Sequence, residues 1–216
     1  MPTTAEVIDR LAREARPVRR LRPPALRALV WLAAAAVVVG VIAALEGVRP
    51  ELGERLRNPW YALSRAGAVA TALTAALAAF ELSIPDRAPR WLWLPVPFAA
   101  LWLGSMGYGC IADWVIEGAD GLALGHSADC FSAIVITSLP LGALLLVMVR
   151  HAGPVRPVAT ALAAGLALAA VAEGGLTLYH ESEATLMDIL FHLFGVAAVL
   201  ALAQAGGRAL FRRVVR

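Results

Sequence analysis

Six apolar stretches, separated by short polar connections, set the pattern of this chain. They run approximately Leu26–Leu45, Trp60–Leu82, Trp91–Ala112, Ala128–Val149, Val158–Leu178 and Leu186–Ala205. Each is close to the ~20 residues that a bilayer core demands of a helix. Lipid offers the backbone no hydrogen-bond partner, so the helix is the form these stretches should take. The pattern predicts an all-α, polytopic membrane protein: a six-transmembrane-helix bundle preceded by a short amphipathic helix.

That preceding segment has a different periodicity. Thr3-Thr4-Ala5-Glu6 has the spacing of a capping box, with Thr3 at the cap and Glu6 three residues on. Val7, Ile8, Leu11 and Ala15 then recur at helical spacing, with Glu6, Asp9, Arg10, Arg13 and Glu14 on the polar faces. Pro17 should end the helix. The following Val18-Arg19-Arg20-Leu21-Arg22-Pro23-Pro24 is too charged and too rich in proline to be buried. Two readings of this segment are open. It can lie on anionic headgroups with its arginines as anchors. It can instead dock its Ile8/Leu11 face in a groove of a partner protein.

Composition supports a membrane domain. Hydrophobic residues make up 60% of the 216 and charged residues 16%, against about half and about a quarter in soluble domains. All 19 cations are arginine. Their distribution predicts orientation, because cytoplasmic connections retain positive charge. Fifteen lie before or at the start of the first span, in the second-to-third and fourth-to-fifth connections, or after the sixth span. Arg49, Arg55 and Arg57 lie on the other side, balanced by Glu46, Glu51 and Glu54, and Arg65 falls within the second span. Both termini are therefore expected in the cytoplasm. No short apolar run with a cleavage site opens the chain, so the first span should remain as an anchor. The expected divisions are 1–24 as the cytoplasmic partner-binding segment, 25–207 as the transmembrane domain and 208–216 as a basic tail. Pro95, Pro97 and Pro140 each fall within a predicted span and should kink it.

Chemistry-bearing residues gather at the outer ends of the spans. Cys110 and Asp113 close the third. His126, Asp129 and Cys130 open the fourth. Glu173 lies in the fifth, which leads to His180, Glu181 and Glu183, and Asp188 and His192 open the sixth. His126 and Cys130 are four apart, as are Asp188 and His192, so each pair would share a helix face. Thiol, imidazole and carboxylate are the ligand set of zinc and similar divalent ions. Cys110 and Cys130 could instead form a disulfide in an oxidising compartment. The structural alternative is that these groups simply meet water and headgroups. Two rival functions follow from the same residues. A metal or proton transporter would use Glu173, Asp188 and His192, although the inner half of the fifth span has Thr160 and no charge. A thiol oxidoreductase would cycle Cys110 and Cys130, although the chain has no C-x-x-C.

Several stretches together resemble the NrsF-type anti-sigma factors, inner-membrane negative regulators of sigma-F-like ECF sigma factors. The similarity starts at Ala15-Arg16-Pro17-Val18-Arg19-Arg20-Leu21-Arg22-Pro23-Pro24 and resumes at Cys130 and Pro140. It continues through Gly153-Pro154-Val155-Arg156-Pro157, Ala163-Ala164-Gly165 and Leu178-Tyr179-His180, and ends with Gly195 and Gly206-Gly207-Arg208-Ala209-Leu210. The resemblance implies a non-enzymatic protein in the bacterial inner membrane. Its N-terminal segment (Val7, Ile8, Leu11, Ala15, Arg16, Arg19 and Arg20) would hold an ECF sigma factor, with no direct contact to nucleic acid. Release would follow metal or oxidative stress, with a divalent ion such as zinc or cadmium as a candidate signal and no resident cofactor assigned. Two outward cysteines are tied to that response in such proteins. Cys130 matches the first. The second should follow His180, where this chain has Glu181. Glu181 could still ligate an ion, or Cys110 could serve as the second thiol.

Overall fold

The computed structural model describes residues 2–14, 20–117, 127–150, 152 and 155–179, with 109–117 and 127–134 as backbone only. Within them the chain is all-α, with no strand. Seven α-helices follow one another: α1 (Thr4–Glu14), α2 (Pro24–Glu46), α3 (Leu52–Arg55), α4 (Pro59–Leu82), α5 (Val96–Glu117), α6 (Ser127–Arg150) and α7 (Pro157–Tyr179). A 3-10 turn at Pro89–Trp93 precedes α5.

Local chemistry accounts for most of the boundaries. In α1 the Thr3 amide donates to Glu6 Oε2 at 2.8 Å, and the Glu6 amide donates to Thr3 Oγ1 at 3.4 Å. This is the reciprocal capping box expected from the spacing. Pro24, Pro59 and Pro157 open α2, α4 and α7, where a missing N–H costs nothing and the fixed φ suits the helix. Asn58 caps α4 by accepting from the Trp60 amide at 3.0 Å. Gly47 ends α2 at φ 90°, in the region that glycine enters without a Cβ clash, and its amide reaches the Ala43 carbonyl.

The predicted third span is reorganised. Pro95 and Pro97 do not kink it. The chain passes through the 3-10 turn, and α5 begins at Val96. Pro97 then sits in the first helical turn, where its absent N–H had no intrahelical acceptor to lose. Pro140, by contrast, lies inside α6. It deprives the Ile136 carbonyl of its usual donor.

Among the described residues, three helices, not six, are long and apolar enough to cross a membrane: α2, α4 and α7. The described side chains of α6 add the apolar stretch Val135–Arg150. The predicted third span starts later than expected because of its prolines, and the predicted sixth lies outside the described residues.

Successive long helices alternate in direction around α4, which packs most extensively on α7 and α5 and also meets α2. Its buried face is made of small residues, including Ala68, Ala72, Ala75, Ala76, Ala78 and Ala79. Between apolar helices, small side chains let backbones approach and gain dispersion contacts. The approach is closest at Gly67, where an added Cβ would lie 2.9 Å from the Trp102 backbone nitrogen on α5. Gly175 of α7 likewise leaves only 3.0 Å for a Cβ against Val39 of α2. The alternation brings Arg27, Arg87 and Arg156 to one end of the bundle, where Arg156 Nη1 donates to the Arg87 carbonyl at 2.5 Å. At the other end, the Arg49 amide donates to the Leu178 carbonyl at 3.0 Å and Trp60 meets Tyr108 with centroids 4.8 Å apart.

Candidate regulatory site

Helix α1 is the first element of the site. None of its residues is buried. Ile8 and Leu11 are 60% and 59% exposed, and Val7 is half-buried. The Asp9–Arg13 pair at 3.1 Å lies one turn apart on the polar side and stabilises the helix only slightly in water. An amphipathic helix of three turns with an uncovered apolar face is marginal alone. Arg20 is exposed in the link to α2. Ala15, Arg16 and Arg19 lie outside the described residues.

The link joins a polar clasp at one end of the bundle. Pro23 is extended, with φ −51° and ψ 141°, and α2 starts immediately at Pro24. Arg27, in the first turn of α2, is 6% exposed. It donates to Ser83 Oγ at the end of α4 (3.4 Å) and to the Met148 carbonyl in the last turn of α6, and it lies 4.8 Å from the Phe80 ring centroid. The Met148 carbonyl is among the last four of its helix, which have no internal donor, so a guanidinium is well matched to it. One turn along α2, the fully buried Trp31 donates from Nε1 to the Leu141 carbonyl of α6 at 3.0 Å. Nearby, buried Glu81 pairs with Arg87 Nε at 3.1 Å.

At the opposite end, the structure describes only some of the predicted sensing residues, and it pairs one of them, Glu173, with an arginine. Cys110 is seven residues before the end of α5, and Asp129 and Cys130 lie in the first turn of α6. At 1.5 Å per residue, Cys110 is about 10 Å below its helix end and Cys130 about 5 Å. Only the backbone of these three is described. His126, His180, Glu181, Asp188 and His192 lie outside the described residues. Glu173 is 4% exposed and pairs with Arg65 of α4, Oε1 to Nη1, at 2.5 Å. Arg65 also stacks over the Tyr61 ring, 5.1 Å from its centroid. Among the described residues, no three His, Cys, Asp or Glu side chains gather as metal ligands.

Sequence reading missed the clasp, because Arg27 looks like one more topology anchor. The available signal was a lone arginine four residues before Trp31 on an otherwise apolar helix. The Arg65–Glu173 pair had a clearer one. Arg65 is six positions from the start of α4 and Glu173 six from the end of the antiparallel α7, so the opposite charges lie at the same level.

Among the described residues, a capped helix with an exposed apolar face precedes an all-helical bundle. The chain belongs to the NrsF family, described as negative regulator of sigma F, which matches residues 11–213. It is thus a regulator of a sigma factor and not an enzyme, and a sigma factor is its partner. No curated relative and no solved structure matches the chain.

Proposed function

We propose that this protein is a six-span inner-membrane anti-sigma factor that holds an ECF-type sigma factor through α1 and the arginine arm. The observation that carries this reading is α1 itself: capped by its own first turn, apolar on one face and with none of its residues buried among the described residues. Such a helix gains its tertiary stability by laying Ile8 and Leu11 in a groove on the sigma factor, with Arg16, Arg19 and Arg20 near acidic groups at the rim. Both termini lie in the cytoplasm in this reading. The lipid-facing role of α2 is supported by the exposure of Leu29, Val37, Val41 and Leu45.

The thiols, imidazoles and acids at the far end are the proposed sensing groups, namely Cys110, His126, Asp129, Cys130, His180, Glu181, Asp188 and His192. A metal ion or oxidant acting there releases the sigma factor only as far as it favours the releasing conformation over the holding one. Glu173 is a poorer ligand than its neighbours because Arg65 neutralises it. The same pairing removes the acid that a transport path would most need.

The direct test is capture of purified ECF sigma factor by the full-length protein in detergent. Capture by the wild type, lost in the Ile8→Asp/Leu11→Asp variant, is the expected result. Equal capture by both would remove the proposed binding face.

A further inference from the structure

The residues joining α2 to α6 serve no purpose in the reading above, yet they connect the two ends it needs. On α2, Arg27 and Trp31 are one turn apart and therefore on one face. Both donate to backbone carbonyls of α6, Arg27 to Met148 and Trp31 to Leu141. The acceptors are seven residues apart, about 10 Å at 1.5 Å per residue, against about 6 Å for the donors. The two helices run in opposite directions, and side chains on a helix lean toward its N-terminus. Arg27 therefore leans toward the α6 C-terminus, and its length covers the difference. Both donors are inaccessible to water, with Trp31 at 0% and Arg27 at 6% exposure. A slide of α6 along α2 would strand them without a replacement.

The two helices lead to opposite ends of the molecule. Helix α6 carries Asp129 and Cys130 in its first turn, with Pro140 between them and the Leu141 contact. Helix α2 begins directly at Pro24, after the Arg20–Pro23 link to the α1 side. The two prolines fix φ at the junction, so the direction in which residues 20–22 leave the bundle follows the start of α2.

We propose that Arg27 and Trp31 form a latch that holds α2 at one axial register on α6, so that a displacement of α6 at its Cys130 end repositions the sigma-holding arm. This rests on the sigma-holding reading of α1 and the arm. The latched register presents the arm for binding, and losing the two bonds leaves the arm attached but misplaced. Arg27 and Trp31 are positioning residues and touch no ligand.

The test measures the affinity of reconstituted full-length protein for purified ECF sigma factor, without metal or oxidant, together with the thermal unfolding midpoint. Trp31→Phe keeps an aromatic ring and removes the N–H. Arg27→Met keeps the stem and removes the donors, and Arg27→Lys restores one charged donor. Each of the first two should weaken binding about tenfold, within the usual range of coupling between sites, and Arg27→Lys should recover part of the loss. Gly67→Ala is the control for general destabilisation: it should lower the midpoint and leave affinity unchanged. Wild-type affinity in both Trp31→Phe and Arg27→Met would overturn the latch. So would an equal affinity loss in Gly67→Ala, because bundle stability alone would then explain the effect. A wild type that fails to bind would instead remove the sigma-holding reading on which the latch depends.

Discussion

Helices α1 and α4 represent opposite ways of making a helix persist. Helix α1 carries its stabilising chemistry within itself. It has a capping box, an i,i+4 ion pair and a sharply divided surface, and no residue is buried. Helix α4 is apolar nearly all round, and its neighbours hold it: α5 across Gly67, α7 through the Arg65–Glu173 pair, and a floor of alanines. The first is the helix proposed to take a partner. The second has its partners already in the chain. A change to one chemical group should therefore act locally and modestly in α1, but spread through several contacts in α4.

The largest test of that contrast is the buried pair. Glu173→Ala leaves Arg65 without its counter-ion in a mostly buried site beside the Tyr61 ring, and should destabilise the bundle by about 3 kcal/mol, the lower end for breaking a buried pair. The Arg65→Ala/Glu173→Ala double variant should lose less than the sum of the single changes, as read by denaturant or thermal unfolding in detergent. Equal and additive losses would mean that the two charges act independently.

Next comes the face of α1. Ile8→Asp/Leu11→Asp should weaken sigma-factor capture about 100-fold, roughly 2.7 kcal/mol, while the unfolding midpoint of the bundle stays fixed. A shift in that midpoint would show that α1 is part of the bundle's stability after all.

Gly67→Ala should cost about 2 kcal/mol, typical of forcing a methyl group into a packed contact. A Cβ there meets backbone atoms of Trp102 rather than a side chain that can swing away. The same change at Gly40, where a Cβ meets nothing within 4 Å, should be neutral or slightly stabilising. The pair of measurements separates close approach from helix propensity.

The smallest effect should be Thr3→Ala. Removing the cap should cost about 1 kcal/mol of α1 helicity. It should be visible as faster amide exchange in residues 4–7, with no change in α4.

Much of the architecture was legible because it follows from local rules. Periodicity separated α1 from the apolar helices, and Thr3 and Glu6 announced the cap. Pro24, Asn58-Pro59 and Gly47 sit where helices start or stop. Misplacement occurred where one residue type had two uses. Pro95 and Pro97 fit a kinked span and a helix start equally well, and the fold used them as a start because the 3-10 turn occupies the preceding residues. For the site, periodicity marked the Ile8/Leu11 face, which is exposed in α1, while His126, His180, Glu181, Asp188 and His192 lie outside the described residues. It did not separate Glu173 from the other acids, since only the packing of α4 on α7 brings Arg65 to it.

The sequence by itself determined where α1, α2, α4, α6 and α7 run, which stretches are apolar, where the arginines concentrate, and that the chain is an NrsF-family regulator. These are properties of neighbouring residues and of composition along the chain. Only the tertiary structure decided that Arg27 is a buried clasp rather than a surface anchor, that Trp31 binds an α6 carbonyl, and that Gly67 admits α5. Each depends on the register of one helix against another, which is set by the summed packing of many small side chains and is encoded at no single position.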